Sequence, residues 1–290
     1  MGEIVMDDIL HIVCNICGKN KKFYEERLIV SHQAAINNLP HELENNKIKL
    51  WYTDGYPESM PMSIQKRDNV ERFSFLNKFY ALQDVINLGA KRVAWVDSII
   101  TCGRKFYYTL EYHLSNDGTF FLDSPYTYKY FSNDRFLSLI GKNREEYVVK
   151  QAFGGLFGFD LNTIRGNSFY NCMKLLSETK PDLWYGSAGK PWFDEEIGHR
   201  HDQCVMGYIL DELNIPFSQE NFEQNSFEER DGMNLLERNS YGPYYYDMDW
   251  INLQARSRKS DEQGPIYYPN CCATHHPTRD HFSKNPILRS

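Results

Sequence analysis

The run Arg92-Val93-Ala94-Trp95-Val96-Asp97-Ser98 decides the fold. Its apolar centre is short and continuous, the pattern of a strand buried on both faces, and it delivers an aspartate at its carboxyl end. Working back from it, Gly89 closes a helical stretch over Phe75–Leu88, in which Phe75, Phe79, Leu82, Val85 and Ile86 recur at helical spacing. The segment Tyr56–Arg67 holds two prolines and reads as a loop. Ile48–Thr53 alternates and stops at Asp54-Gly55, a strong turn signal. Phe23–Asn37 reads as a helix and Ile9–Asn15 as the first strand. The first hundred residues therefore read β-α-β-α-β. That order predicts an α/β fold with an open, mostly parallel sheet flanked by helices, and ligands at the carboxyl ends of the strands.

Working forward, Phe120–Leu122 and Val148–Phe159 read as strands, and Thr163–Ser177 and His201–Leu213 as helices. Beyond Gln219 the chain is polar, aromatic and weakly periodic. The expected organisation is one domain over residues 1–218, wrapped by an aromatic-rich, loop-rich extension over 219–290 with an edge strand near Ile266-Tyr267-Tyr268.

At 290 residues the chain buries a core without needing disulfides or metal. Its net charge of −7 argues against a nucleic-acid partner, which calls for a basic face. No apolar run reaches the ~18 residues of a spanning helix, and the acidic start lacks a secretory pattern. The expectation is a reducing, cytoplasmic setting with free thiols. Cys14 and Cys17 have metal-like spacing, but Cys14 falls inside a predicted strand. The other candidate pair, Cys271-Cys272, is adjacent and suits one tetrahedral zinc poorly. Aromatic residues are 15% of the chain, which serves both a core and a carbohydrate-facing cleft.

Four short segments carry chemistry in order. Lys78, near a helix start, is a candidate cation for a diphosphate, although a single lysine is more often solvated. Asp97 is a carboxylate at the sheet edge, suited to a divalent metal or a ribose hydroxyl. Gly154-Gly155 removes side chains so that a ligand can approach backbone, although such a pair is more often a bulge. Asp202 begins a helix, where it can accept from sugar hydroxyls, act as a base, or simply cap.

The order of these segments resembles that of GT-A glycosyltransferases, especially the glycogenin and galactosyltransferase-like group and the HtrL/YibB-like proteins. There a lysine-bearing helix precedes a strand ending in Asp-x-Asp, followed by a Gly-Gly strand and an Asp-Gln helix start. Here these are Lys78, Asp97, Gly154-Gly155-Leu156-Phe157 and Asp202-Gln203, spread over residues 9–213. The resemblance implies a GT-A-like fold and transfer of a sugar from a nucleoside diphosphate sugar, UDP- or GDP-linked, to a hydroxyl of a glycan or other acceptor.

It also implies roles. Asp97 and Asp202 would be catalytic. Asn15, Asp54, Lys78, Asp97, Ser98, Arg104, Gly154, Gly155 and Gln203 would bind the donor, and Trp184, Tyr185 and Trp192 the acceptor. Mn2+ or Mg2+ would be the cofactor. The pattern breaks at one point: Asp97-Ser98 is followed by Ile99, where the family has a second aspartate. Metal binding at Asp97 would then draw on His275 or His276, or Arg104 and Lys105 would serve as cations instead. Asp247 and Asp249 form an Asp-x-Asp on the wrong side of the Asp-Gln helix for the family's metal motif. Lack of a leader fits surface-glycan synthesis in a bacterium or a large DNA virus. Two other classes compete: a non-catalytic glycan-binding protein derived from a transferase, favoured by the missing aspartate, and a nucleotidyltransferase, disfavoured because Gly18 stands alone where a glycine-rich phosphate loop would be.

Overall fold

A computed structural model describes residues 9–18, 21–40, 47–70, 74–98, 100–102, 104–128, 132–186, 199, 201–218 and 251–253. In chain order the elements are β1 (Leu10–Ile16), α1 (Lys21–Asn38), β2 (Ile48–Asp54), α2 (Met62–Val70), α3 (Leu76–Asn87), β3 (Arg92–Val96) and β4 (Ile100–Cys102). There follow α4 (Arg104–Asp117), β5 (Thr119–Thr127), α5 (Asp134–Ile140), β6 (Lys150–Asp160), α6 (Ile164–Thr179), a 3-10 turn (Pro181–Trp184), α7 (His201–Glu212) and β7 (Ile251–Leu253).

Five strands form one sheet in the order β2-β1-β3-β6-β5. The pairs β2–β1 and β1–β3 are parallel, and β6 runs antiparallel to both β3 and β5. Four strands thus point one way, as the βαβ pattern requires, with β6 reversed. Both sheet faces are covered, which explains the apolar runs. Alternate residues of one strand enter different cores: Val93 and Trp95 join α3, α6 and α7 on one face, while Ala94 and Val96 join α4 on the other. Many of the aromatics are core rings. Phe121 of β5 sits opposite Phe157 of β6, with their rings stacked, and Phe169 of α6 lies 4.5 Å from Phe121 by ring centroids. Burying such a ring contributes roughly 1.5–3 kcal/mol.

The expected loop over Tyr56–Arg67 is in part a helix, α2. Proline misleads there because Pro61 precedes the first turn and lends its carbonyl to Ile64 and Gln65, where a missing N–H costs nothing. Helices α4 and α5 also lie outside the expected elements. The spacing of Phe106, Tyr107, Leu110 and Leu114, all buried on one side of α4, is the helical signal that marks it. In α5, Asn133 caps the first turn by accepting from Phe136 N at 2.7 Å, and Gly141 ends the helix at a φ of 69°.

Of the extension over 219–290, the structure describes Ile251–Leu253, which pairs antiparallel with β4. Ile266-Tyr267-Tyr268 lies outside the described residues. Among the described residues no helix is long and apolar enough to cross a membrane.

Candidate functional site

The site is assembled where β3 meets β6. Asp97, just past β3, is pinned by its backbone: its N–H donates to Gly155 O at 2.8 Å, and its carbonyl accepts from Ile100 N at 2.8 Å. Two residues upstream on the same strand face, Trp95 donates its indole N–H to Asp97 Oδ1 at 2.7 Å. The strand period of two made that neighbour legible in the sequence, yet Trp95 was not among the expected site residues.

Two helices bring their first turns to this point. Lys78 comes from α3, and its Nζ lies 3.0 Å from Asp97 Oδ1 and 2.8 Å from Asp202 Oδ2. Asp202 comes from the first turn of α7, where a carboxylate also favours the helix dipole. A third oxygen, Gly154 O of β6, accepts from Lys78 Nζ at 2.7 Å. The rings of Phe75 and Trp95 lie 5.2 Å and 5.6 Å from the same ammonium, within reach of a cation–π attraction. Burial works against this charge, but Asp202 and Asp97 outweigh it and hold the lysine above its ordinary pKa.

The backbone is strained at both junctions that deliver these groups. Phe75, before α3, has a φ of 61°, and His201, opening α7, has a φ of 42°. Both are left-handed and neither is glycine, a conformation costing about 1–3 kcal/mol each. Their rings meet at 5.4 Å. His201 is held through Nδ1 to Trp184 O at 2.8 Å, and His199 through Nε2 to Leu183 O at 2.8 Å. His199 is fully buried; burial, then the neighbouring His201, pulls its pKa down to about 3, so it stays neutral with Nδ1 lacking a hydrogen-bond partner.

Gly154 makes room for a protein group. A Cβ there would stand 2.4 Å from Asp202 Oδ2 and 3.0 Å from Gln203 Cγ, so the missing side chain admits Asp202 rather than leaving open space. At Gly155 a Cβ would meet Phe153 Cζ at 2.8 Å and Ile100 Cδ1 at 3.0 Å. The structure thus unites Lys78, Asp97, Gly154, Gly155, Asp202 and Gln203.

Asn15 and Asp54 stand apart from them, on the wall of a cavity of about 660 Å³ at the carboxyl ends of β1 and β2, beside Trp51, Thr53 and Tyr56. Asn15 donates to Thr53 Oγ1 and Gly55 O, both at 3.0 Å, and accepts from Asn77 Nδ2 at 3.1 Å. Asn77 precedes Lys78, so its side-chain amide joins cavity wall to charged cluster. Asp54 is half exposed and pairs with Lys21 at 2.5 Å.

The expected acceptor residues are placed otherwise. Trp184 is 1% exposed and belongs to the core. Tyr185 is buried too, donating to Asp68 Oδ1 at 2.8 Å with the Arg67 guanidinium 3.6 Å over its ring. Both are packed among other side chains: an aromatic group before the Asp-Gln helix looks the same in sequence whether it is buried or open. Ser98 is buried. Arg104 opens α4, with its side chain outside the described residues. Trp192, Asp247, Asp249, His275 and His276 also lie outside them.

The chain matches no protein-family model and no curated protein. Among solved structures it is similar to the apo form of mouse xyloside xylosyltransferase 1, at 13% identity and a TM-score of 0.40, over 72% of this chain and 83% of that one.

The described residues do not suit a divalent metal bridging Asp97 and Asp202. Such an ion takes several oxygen ligands. The two facing oxygens already contact Lys78, and no three His, Cys, Asp or Glu side chains cluster among the described residues. Cys14 and Cys17 are buried free thiols, and burial pushes both upward in pKa, the second to about 12.

Proposed function

We propose that the chain is a glycosyltransferase that moves a sugar from a nucleoside diphosphate sugar, UDP- or GDP-linked, to a hydroxyl of a glycan or other acceptor. The observation that carries this reading is the meeting of Asp97 and Asp202, 105 positions apart by their numbers, on one ammonium beside a cavity at the carboxyl ends of the strands. Open α/β sheets bind ligands at that edge. The cavity is of ordinary size for a small-molecule ligand.

In this reading Asn15 and Asp54 line the part of the cleft that takes the nucleotide. Asp97, still partly exposed, meets the donor. Asp202 holds the donor sugar through its hydroxyls or accepts the acceptor's proton. Lys78 has three N–H bonds and three oxygens within 3.0 Å, so it orders the carboxylates and the diphosphate falls to Arg104.

The test is thermal stability against UDP-, GDP- and TDP-sugars, followed by turnover with the donor that binds. A true donor raises the melting temperature by mass action, corresponding to about 2.7 kcal/mol at a hundredfold excess over Kd. No shift with any donor, together with retained glycan binding, would replace this reading with a glycan-binding protein that has lost its chemistry.

A further inference from the structure

The geometry points to Lys78 as the protein's own resident cation at the Asp97–Asp202 pair, occupying the place a bridging divalent metal would take, so that the two carboxylates are ordered without one. Three independent features converge on this. The side chain of Lys78 is 6% exposed and that of Asp202 is 9% exposed, so neither charge is screened by bulk water. An ion bonded at ~2.1 Å to the inner oxygen of either aspartate would lie no more than about 5 Å from Nζ and face its positive charge with little water between them. Finally, Gly154 fixes the arrangement from behind. Its carbonyl holds the ammonium, and its missing side chain lets Asp202 Oδ2 come within 2.8 Å of it.

Lys78 is a positioning residue in this scheme: it acts by holding Asp97 and Asp202, and it touches no substrate. The inference extends the transferase reading but does not depend on it.

The experiment measures Mn2+ binding and melting temperature on the whole chain with no donor present. Wild type and Asp97→Asn should give the same manganese titration. Lys78→Ala should melt roughly 10 °C lower, because it leaves the buried Asp202 carboxylate facing the partly exposed Asp97 carboxylate with no cation between them. Millimolar Mn2+ should restore part of that loss in Lys78→Ala and leave wild type unmoved, and adding Asp202→Asn should abolish the restoration. A manganese-dependent rise in wild type that disappears in Asp97→Asn overturns the inference. Where Lys78→Ala does not fold, the wild-type and Asp97→Asn titrations still decide it. A second arm adds UDP: a melting shift of equal size in EDTA and in manganese supports Lys78, and a shift found only with manganese overturns it. If UDP gives no shift at all, the transferase reading fails on that arm while the manganese titration still judges Lys78.

Discussion

Two regions at the same edge of the sheet are built in opposite ways. At the β3–β6 seam, Lys78, Asp97 and Asp202 converge in a nearly dry space, with one ammonium against two carboxylates and aromatic rings around it. At the ends of β1 and β2 there is a cavity of about 660 Å³, lined by Asn15, Trp51 and Thr53, in which no buried charge is concentrated. The first arrangement fixes charges; the second leaves volume. Electrostatic preorganisation needs the former, because charges act strongly only where water is excluded and the dipoles cannot reorient. Recognition of a small molecule needs the latter. The two are joined through Asn15, which lines the cavity, and Asn77, which precedes Lys78 in the chain.

That division can be broken at its strongest point first. Asp202→Asn keeps the shape and removes the charge, so turnover should fall by about 10²–10⁴-fold with donor affinity little changed. Steady-state rates with saturating donor check this, and an unchanged kcat would remove Asp202 from the chemistry. Gly154→Ala comes next. Its Cβ would stand 2.4 Å from Asp202 Oδ2, forcing the carboxylate off Lys78, and should destabilise the fold by roughly 3 kcal/mol in denaturant titration. A neutral result would mean that Asp202 moves aside without loss. The smallest effect belongs to the cavity. Trp51→Ala should weaken donor binding about tenfold, or about 1.4 kcal/mol, and raise KM while kcat holds. A fall in kcat equal to the rise in KM would show that the cavity and the cluster act as one unit.

Much of the scaffold was legible because its signals are local. Val93 to Val96 read as a buried strand, and Phe79, Leu82 and Val85 as one helix face, because a period of 2 or 3.6 is set by backbone geometry alone. Proline at 61 misled because its meaning depends on whether a helix follows. At the site, Lys78, Asp97, Gly154 and Asp202 could be singled out by type and order, since each follows a strand end, opens a helix or lacks a side chain. Trp95 and Asn77 could have been found one step away, by asking what shares a face with Asp97 and what precedes Lys78. The burial of Trp184 and Tyr185 was not legible: nothing in a run of aromatics tells a core ring from an open one, because burial depends on what the rest of the chain brings over it.

The sequence by itself determined the βαβ scaffold, the delivery of Asp97 at a strand's carboxyl end and the placing of Lys78 and Asp202 in first turns, all of them consequences of short-range periodicity and capping. Only the tertiary structure decided that those three groups share one ammonium, that Gly154 serves Asp202 rather than open space, and that Lys78 has three oxygen neighbours and no N–H left for a phosphate. The reason is physical: the partners lie 19 to 124 positions apart by number, their pairing is a matter of angstroms, and such distances are fixed by how helices dock on a sheet, which no local pattern encodes.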